Sequence, residues 1–412
     1  MHDIDAVSRR TFLTLAAGAA ASVTLGVPRT LQAAPRLRVT RLELLPVRAT
    51  SRTVWLIVRL GTDAGIVGLG EASDAFGFAN TTKADATRME TELRTFFSLI
   101  EGRSPLDIGD YREKGKPLAA KGGLVSATAF SAIEQALWDL SGKALDVPCH
   151  ALLGGRVRQV LPVYANVNRA TNPRTPAGFA AAARAAVRDG FRSVKAAPFD
   201  GFPAPGSPAS AIKAAVDDGI ASVAAIREAI GSDVELMIDC HSFFDVSLAE
   251  DVARRLEPQK LAWYEEPVAP EKIDDTREIR RRIKQPMAAG EILFGVSGFA
   301  SLIHDRTVEV IMPDVKHCGG LLELTRIAAA AEAYDVTVAP HNPSGPISTA
   351  ASAQVASVLN NFRILELQWG EAPWRPDVLN PLERFEKGTI QVSDRPGLGI
   401  ELNETVVRAH PM

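Results

Sequence analysis

The chain has 412 residues, 46% hydrophobic and 23% charged, with a formal net charge of −3 from 46 basic and 49 acidic side chains. That length supports a large core and two domains, and the balanced charge gives no footprint for nucleic acid or an anionic membrane. The three cysteines, Cys149, Cys240 and Cys318, show no CxxC or Cys/His metal spacing and argue against a disulfide framework.

The first 35 residues differ in kind from the rest. Ser8-Arg9-Arg10-Thr11-Phe12-Leu13 precedes an uncharged run from Thr14 to Val27 and then Ala33-Ala34. The run is short for a bilayer span. Its order of charge, apolar stretch and small residues reads as a twin-arginine export signal rather than a frayed amphipathic terminus, and implies a periplasmic or otherwise exported protein.

From Leu37 to Ser73 the pattern is β. Val54–Val58 and Ile66–Gly70 flank the turn signal Thr62-Asp63-Ala64-Gly65, which predicts an antiparallel meander. Helices are expected over 84–101 and 125–144, the second from the spacing of Ala129, Ile133, Ala136, Leu137 and Leu140. After Gly154-Gly155 short apolar strands alternate with Ala-rich helical stretches. Strands are expected near 161–166, 193–197, 234–239, 261–265, 286–290, 308–313, 336–340 and 362–366. Helices are expected between them, at 177–189, 209–230, 247–256, 321–334 and 346–358 among others. Eight such units predict a parallel β/α barrel. A doubly wound sheet is the alternative, but no Gly-rich phosphate loop follows the first strand. A Pro/Gly-rich insertion, Phe199–Pro208, follows the second strand where barrel enzymes keep substrate loops.

The residues that close the strands are ionisable: Asp239, Glu265, Glu291, Asp314, His341 and Glu366, at intervals of 26, 26, 23, 27 and 25. Any one of these acids is equally well read as a cap for the next helix. Six in phase would converge on one barrel mouth. Five carboxylates there repel one another unless a cation or proton offsets them, and an oxygen-only set favours Mg²⁺ over Zn²⁺.

At these residues the chain resembles the enolase superfamily, in its mandelate racemase-like, acid-sugar dehydratase branch. The shared motifs are Ala132–Leu140 with Leu152-Leu153-Gly154-Gly155, Glu265-Glu266-Pro267, Gly290-Glu291, Pro313-Asp314-Val315 with Gly319-Gly320, and Pro340-His341-Asn342. The resemblance implies Asp239, Glu265 and Glu291 as Mg²⁺ ligands and Asp314–His341 as an Asp–His general base. It implies Glu366 as the group beside the substrate carboxylate, able to donate a hydrogen bond if protonated. The implied fold is α/β: a modified (β/α)7β TIM-like barrel, with an N-terminal α+β capping domain completed by the C-terminal segment. The corresponding divisions are 1–35 signal, 36–157 capping domain, 158–370 barrel and 371–412 C-terminal segment. A homo-oligomer is also implied.

The family reaction removes the proton next to a carboxylate, and a divalent ion stabilises the charge that develops. Racemases of the branch carry Lys-x-Lys on the second strand. Here Lys195 is followed by Ala196-Ala197, which leaves one clear base and points to dehydration of a sugar acid to a 2-keto-3-deoxy acid. Lys195 equally suits a contact with substrate or neutralisation of the acidic mouth. His241 follows Asp239 as Asp-x-His, which suits a general acid or a solvated loop histidine. Glu266 is expected to support the ligands, Lys316 and His317 to lie on the loop after Asp314, and His304 to sit unpaired at a helix end. Phe76 and Phe78 suit a lid or a loop packed on its own domain. A one-base epimerase and a non-catalytic exported sugar-acid binding protein are the competing readings. A cycloisomerase is disfavoured, because that branch has Lys where Asp314 stands.

Overall fold

Three antiparallel strands open the fold: β1 (Val39–Arg48), β2 (Val54–Thr62) and β3 (Val67–Glu71), in spatial order. They belong to a computed structural model that describes residues 37–77 and 81–412. The export signal expected over 1–35, and Phe78, lie outside the described residues. Helices α1 (Lys83–Phe97) and α2 (Ile108–Leu145) cover the sheet. Helix α1 starts at a capping box between Thr82 and Asp85. Glycines bring α2 close to β3: a Cβ on Gly68 would stand 2.3 Å from the Ala136 carbonyl, and one on Gly70 2.1 Å from that of Ala132. Helix α2 begins well before the 125–144 expected from periodicity. Gly109, Gly115, Pro117, Gly122 and Gly123 read as punctuation, yet the chain only kinks at Gly123 (φ +73°) and keeps Ile108, Tyr111 and Ala119 buried.

The eight expected parallel strands are present. They are β4 (Val160–Asn166), β5 (Ser193–Ala196), β6 (Glu235–Asp239), β7 (Trp263–Glu265), β8 (Met287–Ala289), β9 (Val310–Ile311), β10 (Thr337–Val338) and β11 (Leu365–Gln368). They pair in chain order, β11 pairs in parallel with β4, and a bridge between Val338 and Phe362 closes the ring. The barrel interior is filled by Tyr164, Met237, Trp263, Ala288, Val310, Met312 and Ala339. A larger apolar layer lies between strands and helices. Among the described residues no helix is long and apolar enough to cross a membrane.

The C-terminal segment makes two unions. The hairpin Phe385–Glu386/Thr389–Gln391 adds antiparallel to β4, so it extends the barrel sheet, which the sequence did not signal. Further on, Arg48 N–H donates to the His410 carbonyl at 2.9 Å, and Trp374 stacks on His410 and meets Trp55 edge-on. These contacts tie residues 374–410 to the N-terminal sheet.

Buried carboxylates join the N-terminal layer to the barrel. Glu134 of α2 accepts the Leu321 and Leu322 amides, 2.7 and 3.2 Å, at the start of the helix Gly320–Glu332. Gly320 is required there, since a Cβ would lie 2.0 Å from the Glu134 carboxylate. Glu71 of β3 accepts the Gly345 and Ser348 amides, 2.7 and 2.9 Å, at the start of Pro346–Ala356. Each carboxylate caps a helix whose amides and dipole favour negative charge. Arg112 completes the first junction. It donates to Glu134 at 3.0 Å and to the Gly319 carbonyl at 2.9 Å, and it pairs with Glu323. Arg112→Met should therefore destabilise the protein by about 3–5 kcal/mol in chemical denaturation, because two carboxylates lose a buried partner. Lys213→Ala, which breaks an exposed pair with Asp217, should leave the denaturation midpoint unchanged within error, because water already screens that pair.

Candidate active site

Alternation along the strands places the site. Asp239 and Glu265 are the last residues of β6 and β7 and are register partners. They stand two residues on from the interior side chains Met237 and Trp263, hence on the same face. Glu291 follows β8 after Gly290, whose φ of +112° turns the chain there. One oxygen from each of these three acids lies within 4.8 Å of the others, and all three residues are buried.

Asp314 and His341 follow β9 and β10, and their side chains meet: His341 Nδ1 lies 2.8 Å from Asp314 Oδ2. On its other side His341 Nε2 lies 3.1 Å from Glu291 Oε2. That contact is not aligned as a hydrogen bond, so this buried oxygen has no hydrogen-bond partner. Glu366 is the second residue of β11 rather than its end, because the strand continues to Gln368. It accepts from Asn166 Nδ2 at 2.8 Å and the Asn342 amide at 2.9 Å. Lys195 Nζ stands 2.7 Å from Glu265, 3.1 Å from Glu366 and 3.5 Å from Asp239. Of its two expected roles, the structure displays the neutralising one.

Burial alone would raise the Glu366 carboxyl, but Lys195, His341 and the two donors outweigh it and hold it below the ordinary value. In these contacts Glu366 serves as the acceptor of both donors. The triad behaves differently. Burial, with neighbouring carboxylates adding to it, pushes Glu265 and Glu291 well above the ordinary range. For Asp239 burial acts upward too, but His241 and Lys195 outweigh it and hold the group far down.

The triad fits a hard divalent cation. Its donors are all carboxylate oxygens, one buried Glu291 oxygen has no hydrogen-bond partner, and two carboxyls resist ionisation in the absence of added positive charge. Glu266 stands outside the triad and accepts from the Gly290 amide at 2.8 Å and the Glu291 amide at 3.4 Å, so it shapes the turn that presents Glu291. Burial raises its carboxyl to about 7.

The rest of the mouth was only partly expected. Lys316 and His317 do follow Asp314, but both are fully buried. Lys316 Nζ lies 2.9 Å from Asp314 Oδ2 and 3.4 Å from Asp74 of the loop after β3. His317 Nδ1 meets Thr128 Oγ1 at 2.8 Å, and burial lowers its imidazole to about 4. Burial acts against ionisation of Asp314, but Lys316, His317 and His341 outweigh it and hold the carboxyl well below its usual range. His241 turns out to have an Asp200 partner, with Nδ1 2.5 Å from Asp200 Oδ1 and Nε2 3.2 Å from Asp239. His304 ends the helix Gly295–His304 as expected, but it pairs with Asp305 at 2.8 Å. Phe76 packs on its own layer under the Arg88 guanidinium.

His341, His241, Lys195, Asp239 and Asp200 line one small cavity of about 40 Å³ with the amides of Asn166, Asn168 and Gln368. A larger hollow of about 540 Å³, between Pro346 and the C-terminal hairpin, contains none of these ionisable groups. The small cavity brings together Asp239 of the acid triad, His341 of the Asp–His pair, a second histidine and side-chain amides able to bind hydroxyls. That set can remove a proton beside a carboxylate and assist a leaving group.

Known proteins share this architecture. Residues 36–154 match the mandelate racemase / muconate lactonizing enzyme N-terminal domain, and residues 178–406 match the enolase C-terminal domain-like family. A D-xylonate dehydratase of Haloferax volcanii is 32% identical over 387 residues, covering 91% of this chain and 90% of that protein. A D-galactonate dehydratase of Verminephrobacter eiseniae is 34% identical over 373 residues, covering 86% and 90%. Crystal structures of mandelate racemase/muconate lactonizing enzymes from Jannaschia sp. and Sulfitobacter sp. superpose with TM-scores of 0.80 and 0.81 at 28% and 27% identity. They cover 91% of this chain and 98% and 96% of theirs. The chain belongs to the mandelate racemase/muconate lactonizing enzyme family of the enolase superfamily.

Proposed function

We propose that this enzyme is a Mg²⁺-dependent hydro-lyase that dehydrates a sugar acid to a 2-keto-3-deoxy acid. The observation that carries the reading is one Asp–His pair beside a carboxylate triad, with Ala197 where a second lysine base would stand. The relatives named D-xylonate and D-galactonate dehydratase support the substrate class.

Asp239, Glu265 and Glu291 would hold the ion, which supplies positive charge to the substrate carboxylate as the α-proton leaves. Asp314 is acceptor-only, so in neutral His341 the proton resides on Nδ1 and Nε2 is left to take the α-proton. Lys195, fully buried and close to Glu366, places a fixed ammonium near the developing charge. His241 follows β6, the third barrel strand, and His341 follows β10, the seventh. In a closed ring of eight these stand on opposite sides. Proton removal by His341 and hydroxyl departure assisted by His241 can then proceed on opposite faces of the substrate. The hydroxyl leaves C3 as water with a proton from His241, and the resulting enol converts to the keto acid. The amides of Asn166, Asn168 and Gln368 suit a polyhydroxylated chain.

Incubation with C5 and C6 aldonates and Mg²⁺ in D₂O should yield keto acid. Deuterium uptake at C2 without keto acid would establish epimerisation instead, and binding with neither would leave the binding protein. His341→Asn should lower both keto-acid formation and α-exchange by about 10³-fold, and His241→Gln should lower only the former, by about 10²-fold. Full activity in either variant refutes its assignment.

EDTA should abolish turnover and Mg²⁺ restore it. The ion should also raise the unfolding temperature more at pH 8 than at pH 6. The sign follows from the raised carboxyls: in ion-free protein Glu265 and Glu291 favour the protonated form, so that form loses stability as pH rises through their raised values. The ion competes with those protons and binds better as they leave. A stabilisation independent of pH would contradict this ligand set.

A further inference from the structure

We propose that Asp200 is a positioning residue for the elimination step, fixing the ring orientation and tautomer of His241. This rests on the reading of His241 as the acid that assists hydroxyl departure. Asp200 lies in the Pro/Gly-rich insertion after β5, outside every strand-end motif.

Its carboxylate is held from both sides. Oδ1 meets His241 Nδ1 at 2.5 Å, while Oδ2 accepts from Asn168 Nδ2 at 2.8 Å and Arg174 at 3.1 Å. Arg174 is itself fixed by the Asn168 side chain at 2.8 Å and the Ala197 carbonyl at 2.7 Å. The loop is anchored by Phe199 and Phe202, which pack edge-on against Phe244 at 5.1 and 5.2 Å. The carboxylate therefore cannot swing away without breaking its contacts with Asn168, Arg174 and His241.

The histidine needs such a hold. It follows the strand at φ +44°, with Ser242 at +59°, a left-handed stretch that non-glycine residues adopt at a cost. An imidazole on such a turn can present either nitrogen. Ionised Asp200 only accepts, so it selects the ring with Nδ1–H and turns Nε2 toward Asp239 and the cavity. His241 enters the elimination as imidazolium: the C3–O bond breaks, the oxygen takes the Nε2 proton, water departs, and the neutral Nδ1–H tautomer remains. The Nδ1–H···Oδ1 contact stays in place throughout. Asp200 touches neither the C2 proton nor its base, so within the chemical steps its influence falls on bond breaking at C3; its hold on Asn168 bears on substrate binding and is read in KM rather than kcat.

The test uses Asp200→Asn and Asp200→Ala in the full-length enzyme, with D-xylonate and D-galactonate in D₂O. Both variants should lose on the order of 10²-fold in kcat for keto-acid formation while α-proton exchange stays within about threefold. The corresponding 3-deoxy-3-fluoro aldonates, whose fluoride leaves without a proton, should restore most of the lost rate. Equal loss of exchange and elimination, or no recovery with fluoride, would mean a merely structural role and overturn the proposal. Unchanged dehydration would do the same. ¹⁵N-histidine spectra provide a substrate-free reading. The Nδ1-bound proton of His241 should be present in the wild type and lost in Asp200→Asn, while that of His341 remains. Its absence from the wild type would overturn the proposal even if no aldonate reacts. His241→Gln with full dehydration would sink the general-acid reading separately.

Discussion

Five carboxylates sharing one buried barrel mouth is the constraint on which the rest of this structure depends. Asp239, Glu265, Glu291, Asp314 and Glu366 are all nearly inaccessible, and little water screens them. The chain supplies two buried lysines against them. Lys195 is divided among Asp239, Glu265 and Glu366, and Lys316 between Asp314 and Asp74. The compensation is uneven. Asp239, Asp314 and Glu366 are held below the ordinary carboxyl range, whereas Glu265 and Glu291 are pushed up by burial and by their neighbours. The deficit of positive charge is therefore local to the triad, where a divalent ion fits.

The same device, a carboxylate buried against oriented donors, joins the N-terminal layer to the barrel. Glu134 and Glu71 cap the helices that follow β9 and β10, the strands that lead to Asp314 and His341. Asp139 does likewise for the C-terminal segment, accepting the Leu398 amide at 2.8 Å and the Leu69 amide at 2.9 Å. Burial raises all three carboxyls, and the amide donors and adjacent cations offset part of that penalty. Placement of the Asp–His pair thus depends on side chains from the other layer. The link is direct at Asp74, which pairs with Lys316 while Arg169 ties it to Glu371 beyond β11.

How much of this the sequence disclosed follows from the range of each interaction. Asp239, Glu265 and Glu291 were legible because a strand-plus-helix unit has nearly constant length, so spacing alone brings its ends together. The eight strands and most barrel helices followed from local periodicity. The first half of α2 did not, since Gly109, Gly115 and Pro117 mimic a loop and only tertiary packing makes that stretch helical. The hairpin on β4 was hidden because its partner lies more than 200 residues away. Lys316, the Glu134 cap and Asp200 are long-range pairings with no spacing rule. Asp200 in particular sits in an insertion whose sequence shows mostly Pro, Gly and Phe around one acid.

The two histidines meet the charge constraint together in the proposed reaction. Each has a carboxylate at Nδ1, Asp314 for His341 and Asp200 for His241, and each directs Nε2 toward the triad. They differ in what the opposite sides of the ring ask of them. His341 gains a proton as C2 is deprotonated, and His241 loses one as the C3 hydroxyl departs. Gain and loss cancel inside the cavity, and the product released beside the keto acid is neutral water. A buried mouth with five acids could not easily absorb a net change of one charge, because no bulk solvent is there to screen it. Paired proton transfers at two fixed imidazoles let the chemistry run at constant buried charge. An elimination needs both of them, whereas a single-base exchange at C2 would leave His241 and its Asp200 partner without a task.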